Sequence, residues 1–448
     1  MLKEYASKYS NRSVGFVGMG VSNLPVIRLF ISAGAKCTVR DKNDLADRDF
    51  YSELKNNGVE FITGAGYLDN VQEDLLFLSP AVRPDLAGIV KARENGTRVT
   101  SEMEEFFRLC PCKKISVTGS DGKTTTTTLI AKLLTTAGYK VHLGGNIGVN
   151  LFAELDNISR DDFAVIELSS FQLMKLSESP EVAVVTNVAP NHLDWHTDMI
   201  EYVEAKKRIF AFQNESGKLV LNIDDEYAEE FAGSAKGSVL TISGNTDKGD
   251  VYFDCNGIFS KDGKLLVKDS DIKIVGRHNR YNYSAAYCAV SDYVTPETLN
   301  KVAREFGGVE HRIEFVREID GVKYYNSSID SSPSRTIACL NAFKTPVVAI
   351  CGGYDKNIPY EPLADVFKSK VKYAILCGAT AKKIADVLDD TGFTAYEIVT
   401  DFVDAVKIAS SKAKSGDNVV LTPASASFDM FKNFAQRGNK FKETVNSL

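Results

Sequence analysis

The sequence predicts an α/β protein of three domains built on mainly parallel sheets, and three observations carry that expectation. At about 150 residues per domain, 448 residues correspond to three domains, each able to bury its own core. Short apolar runs alternate with helix-period stretches through most of the chain, the pattern of successive βαβ units. The runs at 163–168 and 182–187 are apolar almost without a break, as strands buried on both faces of a parallel sheet are.

Taken in order, strands are expected at 14–17, 37–39 and 75–78, with a helix over 24–33. The turn after the first strand holds Gly18, Gly20 and Asn23, and Asp41 ends the second strand, so this first domain reads as Rossmann-like. Asn23 stands where the dinucleotide fingerprint has its third glycine, so helix and strand cannot approach as closely. A turn without a ligand and a site for a nucleotide diphosphate other than NAD are both compatible with it. A strand at 113–118, a glycine turn and a helix from 123 to about 137 open a central parallel sheet of the P-loop ATPase type. Strands at 163–168 and 182–187 and a helix over 199–212 follow. Between 218 and 276 the runs shorten and are broken by Asn256-Gly257 and Lys261-Asp262-Gly263, which predicts a small antiparallel side sheet. Helices are expected at 282–293 and 296–306, and two strands within 310–325 joined around Asp320-Gly321. Strands at 347–351, 373–377 and 419–421 then rebuild a Rossmann-like sheet, which places the domains at 1–108, 109–308 and 309–448.

Composition excludes several classes of function. Hydrophobic residues at 44% and charged residues at 25% exclude a mainly disordered chain. With 53 basic against 59 acidic residues the charge is −6, so no basic surplus advertises nucleic acid or an anionic membrane. The eight cysteines are scattered, and Cys110-Pro111-Cys112 has no second pair to complete a zinc site, which fits a reducing compartment. Residues 1–11 are polar, and no stretch approaches the ~20 apolar residues that span a bilayer, so a soluble cytoplasmic protein is expected.

The strongest chemical signal is Gly119-Ser120-Asp121-Gly122-Lys123-Thr124-Thr125 between strand and helix. Glycines let the backbone curl its N–H groups toward phosphate oxygens, the helix start adds positive potential, the lysine neutralises charge and a threonine hydroxyl can hold Mg²⁺. It departs from the common Walker A pattern, having Val117 where that pattern has glycine, yet it reads as a phosphate cradle for ATP. Glu167, at a strand end, suits a metal contact or a water-orienting group, or an ordinary pairing with a lysine. At about 4 Å and an effective dielectric of about 20, such a charge pair is worth roughly 4 kcal/mol, or about three decades of rate. His192 and His196 fall on the next post-strand loop, where a metal ligand, a general base and a hydrogen-bonded loop residue are all open readings. Lys206, Lys207 and Arg208 lie on a helix, where a solvated cationic face is the plain reading. Gly352-Gly353-Tyr354-Asp355-Lys356 and the loop 422–429 are strand-to-helix junctions, where Lys356 and Ser427 suit a small acidic substrate.

Together with Gly144-Gly145-Asn146-Ile147-Gly148, Glu167-Leu168-Ser169-Ser170-Phe171-Gln172-Leu173, Asn191-His192-Leu193-Asp194, Gly276-Arg277-His278-Asn279 and His311-Arg312, these motifs resemble the Mur ligase family, the ATP-dependent amino-acid ligases of peptidoglycan precursor synthesis. The likeness runs through essentially the whole chain. The segment from Ser425-Ala426-Ser427-Phe428-Asp429 to Phe434-Ala435-Gln436-Arg437-Gly438 is similar to the branch that adds D-glutamate. The resemblance implies a site for UDP-N-acetylmuramoyl-L-alanine at Gly18, Val21, Ser22, Asp41, Lys42, Ser79 and Asn146. It implies an ATP site at Gly119, Ser120, Asp121, Gly122, Lys123, Thr124, Thr125, Asn279, Asn282 and Arg312. It further implies two Mg²⁺ sites, one at Thr124 and Glu167 and one at Glu167, His192 and Lys206, the lysine being a carbamate formed with CO₂. Lys123, Glu167, His192 and Lys206 are then the catalytic set, and Ser331, Lys356, Ser427 and Phe434 receive D-glutamate. The implied protein is a monomer with no nucleic-acid partner and no membrane insertion.

Two departures stand out. Where the family usually reads Asn-Asp-Ser-Lys-Ala-Thr, this chain has Asn326-Ser327-Ser328-Ile329-Asp330-Ser331, with Asp330 as a substitute for the aspartate lost at Ser327, and Asp121 replaces a frequent asparagine. Two rivals share part of the signal. A folylpolyglutamate synthase-like ligase leaves the Gly18 domain unexplained, and a non-catalytic nucleotide switch has no use for Lys356 and Ser427.

Overall fold

The computed structural model describes residues 1–448 except Val21 and Asp194. Two compact units are formed, one from 1–254 with 259–264 and 281–298, the other from 255–258, 265–280 and 299–448.

The first unit carries two sheets. Strands β1 (Ser13–Val17), β2 (Lys36–Asp41), β3 (Glu60–Thr63), β4 (Leu75–Leu78) and β5 (Arg98–Thr100) lie in the order β3-β2-β1-β4-β5, all parallel. The order reverses between β1 and β4, which opens a crevice at their carboxyl ends, just before Gly18 and Ser79. In the second sheet β6 (Lys113–Thr118), β7 (Val141–Gly145), β8 (Phe163–Glu167), β9 (Val182–Val185), β10 (Lys218–Asn222), β11 (Ser238–Ser243) and β12 (Val251–Phe253) run β12-β11-β10-β9-β6-β8-β7. Every residue of β8 and β9 is buried, in agreement with their apolar runs.

The antiparallel side sheet expected over 218–276 is corrected in part. β10, β11 and β12 pair parallel, because the helix Ala228–Ser234 and the loop after Ser243 each return the chain to the same end before the next strand begins. The Asp-Gly and Asn-Gly signals that suggested hairpins lie beyond them. Lys261-Asp262-Gly263 closes a tight turn between β13 (Gly257–Ser260) and β14 (Leu265–Lys268), where Ser260 N–H donates to the Lys264 carbonyl at 3.0 Å.

The second unit holds β15 (Glu314–Ile319), β16 (Val322–Asn326), β17 (Val347–Cys351), β18 (Val371–Cys377), β19 (Tyr396–Val399) and β20 (Asn418–Leu421), ordered β15-β16-β20-β17-β18-β19. β15 and β16 form the expected hairpin, with positive φ at Asp320 and Gly321, and the remaining pairs are parallel. Alternation along β17 sends Val347, Ala349 and Cys351 into one apolar layer and Val348 and Ile350 into the other, so helices cover both faces.

One core joins the two sheets of the first unit. Phe16 and Phe77 stack at 5.4 Å, Phe30 leans on Phe77 at 5.5 Å, and Phe152 meets Phe77 at 6.5 Å. Phe77 is wholly buried among them. Phe77→Ala leaves a cavity with no neighbour free to fill it and is expected to lower stability by about 3–5 kcal/mol, read from denaturant unfolding; a loss under about 1 kcal/mol would contradict this packing.

Candidate functional site

Because β6 is flanked by β8 and β9, their carboxyl ends meet: Val117 is the register partner of both Glu167 and Val184. The phosphate-type loop leaves β6 here and is held from both sides. Ser120 N–H donates to the Asn187 carbonyl at 2.9 Å, Ser120 Oγ bonds the Ala189 carbonyl at 2.8 Å and the Tyr202 hydroxyl at 2.9 Å, and Asp121 N–H reaches Asn187 Oδ1 at 2.9 Å. Gly119 sits at φ +148° and Gly122 at φ +80°; a Cβ on Gly122 would lie 2.4 Å from Asn282 Oδ1. Asn282 thus belongs beside the loop, and it also bonds Thr126 Oγ1 at 3.2 Å. Lys123 Nζ curls back onto the Gly119 and Ser120 carbonyls at 2.9 and 3.0 Å. The threonine run is a poor helix former, yet it is helical from Lys123 to Thr136 because Leu129, Ile130, Leu133 and Leu134 bury one face, while Thr127 and Thr128 return their hydroxyls to the Lys123 and Thr124 carbonyls. Thr124 and Thr125 are half-buried at its start.

Glu167 is buried; Oε1 accepts from Asn146 Nδ2 at 2.7 Å, while Oε2 has no partner. Asn146 is therefore brought to Glu167, a pairing the sequence did not announce. His192 is exposed, at φ +55°, with its ring centre 5.0 Å from that of Phe171 in an edge-on arrangement. Lys206 is 1% exposed, its Nζ 4.4 Å from the Tyr202 ring centre. It is no part of a solvated cationic face: burial, and then the Lys123 charge, hold its amine well below the usual lysine range. His196 is buried between Glu201, at 3.1 Å from Nδ1, and Ser170, at 2.8 Å from Nε2, and burial pushes its imidazole down. That network escaped the sequence reading, since Ser170, His196 and Glu201 come from separate elements and only the nearness of two histidines hinted at it.

At the crevice of the first sheet, Gly18 has φ +77° and a Cβ there would meet Ser79 Oγ at 2.4 Å, while Ser79 N–H donates to the Val17 carbonyl at 3.0 Å. The loops bearing Gly18 and Ser79 are thus in contact. Asp41 turns its carboxylate to the Met19 N–H at 3.1 Å and to Asn43, so it braces the glycine turn; Lys42 is exposed and Ser22 half-buried. Val21 lies outside the described residues. Asn23 differs from expectation in its effect: its amide donates to the Gly18 carbonyl at 2.8 Å, replacing the missing glycine contact with a bond.

In the second unit, Lys356 Nζ lies 3.3 Å from the Ser331 carbonyl and 3.4 Å from its hydroxyl. Ser427 is buried with an unpartnered Oγ. The loops of Lys356 and Ser427 are joined where Tyr354 N–H donates to the Ala426 carbonyl at 2.9 Å. Arg437, fully buried, clamps this region through the Ala426, Ser425 and Ser328 carbonyls at 2.9–3.1 Å. Ser328 Oγ donates to the carbonyl of Phe434, whose ring stands edge-on to His311 at 5.8 Å. Asn279 and Arg312 also fall in this unit, Arg312 exposed between His311 and Ile313, both at positive φ. Ser327 Oγ accepts from the Ile313 N–H at 3.1 Å, and so steadies that turn. Asp330 points inward: it is buried, and Oδ2 accepts from Thr422 Oγ1 at 3.0 Å.

Residues 117–290 match the family described as Mur ligase middle domain, and 311–425 that described as Mur ligase, glutamate ligase domain. The chain is similar to the UDP-N-acetylmuramoylalanine--D-glutamate ligase of Acetivibrio thermocellus, 50% identical over 461 aligned residues that cover 100% of this chain and 99% of that protein. The protein of the same name from Clostridium beijerinckii is 49% identical, covering 99% of each. Among solved structures, MurF from Acinetobacter baumannii has a TM-score of 0.61 at 13% identity, over 99% of this chain and 98% of that one. UDP-N-acetylmuramate-alanine ligase from Thermotoga maritima has a TM-score of 0.60 at 18% identity, over 97% and 99%. These two likenesses concern the fold.

Burial raises the Asp330 carboxyl to about 6, against the downward pull of bonds from Ser327 and Thr422. The folded chain holds this proton more tightly than the unfolded one, so the contribution is complete below about pH 4 and is lost as pH rises through about 6. Relative to Asp330→Asn, the parent is expected to lose on the order of 3 kcal/mol between pH 4 and pH 7, read from unfolding midpoints across that range; parallel pH profiles would contradict an inward, protonated Asp330.

Proposed function

The chain belongs to the Mur ligase family, and from that premise we propose that it joins D-glutamate to UDP-N-acetylmuramoyl-L-alanine, using ATP, in peptidoglycan precursor synthesis. The observation that carries this reading is the buried, unpartnered Oε2 of Glu167 beside a glycine loop that closes over Lys123. A buried carboxylate oxygen without a donor is costly unless a cation meets it.

That orphaned oxygen fits Mg²⁺. Mg²⁺ in phosphate sites takes few protein ligands and completes its shell with phosphate oxygens and water. Thr124 and Glu167 would hold one ion, and Glu167, His192 and Lys206 the other. Bound there, Mg²⁺ would neutralise phosphate charge. Lys206 suits the carbamate because a lysine with a depressed pKa presents a neutral amine, the form that adds to CO₂ with loss of a proton.

The remaining roles follow the chemistry of the side chains. Loop amides other than those of Ser120 and Asp121, which are bonded to Asn187, would hold the triphosphate together with the Lys123 ammonium, with Asn282 beside the loop and Asn279 and Arg312 assigned to the nucleotide by the family pattern. The substrate carboxylate attacks the γ-phosphate, breaking its bond to the departing ADP, to give an acyl phosphate, and the D-glutamate amine, losing a proton, then displaces phosphate through a tetrahedral intermediate. The crevice of Gly18 and Ser79 would take the uridine nucleotide, with Ser22, Lys42, Asn146 and Val21 as further contacts and Asp41 acting through the turn it braces. Lys356 and Ser427, the latter with a free buried hydroxyl, would receive the D-glutamate carboxylates alongside Ser331 and Phe434. The inward Asp330 is not assigned to the nucleotide. In this reading the divisions at 108 and 308 separate uridine, ATP and amino-acid domains. No helix among the described residues is long and apolar enough to cross a membrane. The eight cysteines are free, which suits a reducing compartment, and following the family pattern we place the enzyme in the cytoplasm, as a monomer.

Phosphate release should require the uridine precursor and D-glutamate together, with L-glutamate and other amino acids at least tenfold slower; equal rates with L-glutamate would refute the assignment. Lys206→Ala should be inactive and partly restored by an added short carboxylate, whereas a fully active variant would remove the carbamate.

A further inference from the structure

The elements that bring Glu167, His192 and Lys206 to the glycine loop share a second property: each grips the same segment of the neighbouring sheet. That segment, 79–83, leaves β4 at Ser79, whose Oγ lies against Gly18. Lys175, just past the helix Ser170–Leu173 that follows Glu167, donates Nζ to the Pro80 carbonyl at 2.8 Å. Trp195, on the His192 loop, donates its indole N–H to the Ala81 carbonyl at 3.1 Å and accepts from Arg83 Nη1 at 2.9 Å. The Arg83 guanidinium also stands 5.0 Å from the Trp195 ring centre. Glu201, on the helix Met199–Ala211 that carries Lys206, takes Arg83 in a two-toothed pair at 2.7 and 3.1 Å.

Behind the segment the three elements are tied to one another, since His196 bridges Glu201 to Ser170. Arg83 and Glu201 are each about one-fifth exposed, 20% and 21%, so the pair is shielded and its fork geometry is directional. The two glycine turns leave no slack at either end. Gly18 has no room for a methyl against Ser79, and Gly119 none against Thr186, whose strand continues into the His192 loop. A ligand that shifts Ser79 therefore shifts the carbonyls that Lys175 and Trp195 hold.

We propose that residues 79–83 form a coupling strap, in which Arg83, Trp195 and Glu201 act as positioning residues that make binding at the Gly18–Ser79 crevice and binding at the glycine loop mutually favourable. The inference rests on the functional reading above only in taking the two ligands to be the uridine precursor and ATP. Coupling of this kind is reciprocal: each ligand must raise the affinity of the other by the same factor. A purely structural contact would weaken both ligands singly and leave their ratio alone.

The test is titration calorimetry of the full chain with a non-hydrolysable ATP analogue and Mg²⁺, with and without saturating UDP-N-acetylmuramoyl-L-alanine, and the converse titration. The parent chain is expected to bind the analogue at least fivefold more tightly when the uridine ligand is present. Arg83→Met should bring that ratio to within twofold of one while each ligand alone keeps its affinity within about twofold. Arg83→Lys and Trp195→Phe, which keep bulk and fold, should give intermediate ratios, and they decide the matter if Arg83→Met unfolds. A parent ratio of one, or a ratio unchanged in all three variants, overturns the strap while leaving the functional reading intact. A parent chain that binds neither ligand overturns both.

Discussion

A Cβ at residue 119 would lie 1.9 Å from Thr186 Oγ1, and most of the site depends on that closeness. Residue 119 follows the last residue of β6, and Thr186 the last of β9, the strand paired beside it. With a glycine there, the loop can pass the end of β9, pinned to the segment 187–189 by the Ser120 and Asp121 amides and the Ser120 hydroxyl. On the other flank the Val117–Glu167 rung sets the carboxylate at the mouth of the same turn. A parallel sheet buried on both faces thereby delivers a glycine loop, a carboxylate and two loop-borne side chains to one edge. No loop has to find its place unaided.

The same physics is used in each of the other sheets. Gly18 against Ser79 marks the switch between β1 and β4. In the second unit Gly353, at φ +147°, has no room for a methyl beside the Ala426 carbonyl, where the order changes between β17 and β20. Each crevice is thus floored by backbone. The polar groups above it, Ser79 in one and Lys356 and Ser427 in the other, are set by strand ends. Buried charge is treated differently in the two units. Lys206 is kept as a depressed amine within reach of chemistry, whereas Arg437 gives its donors to three carbonyls and serves as scaffold.

What could be read from the sequence follows from how local its cause is. The loop 119–125 was legible because glycine and lysine spacing between a strand and a helix is a local signal, and Glu167 because it ends an apolar run. The short edge strands Glu60–Thr63, Arg98–Thr100 and Tyr396–Val399 had too few residues to show a period. The parallel pairing of β10 to β12 was obscured by turn signals that belong further along the chain. Arg83 with Glu201, Asn146 with Glu167 and Asp330 with Thr422 are pairings across 118, 21 and 92 residues, and nothing in the neighbourhood of either partner announces them. Asp41 shows the converse: its position at a strand end was legible, but only the structure reveals that its carboxylate braces the Met19 amide.

Activation of an acid as an acyl phosphate at the Glu167 edge of the second sheet is the central step. The direct measurement uses UDP-N-acetylmuramoyl-L-alanine labelled with ¹⁸O in its carboxylate, with ATP, Mg²⁺ and D-glutamate, and follows the label in released phosphate by mass spectrometry. Attack of that carboxylate on the γ-phosphate, followed by displacement by the amine, must transfer one labelled oxygen to phosphate in each turnover. Amide formation with all released phosphate unlabelled would contradict it.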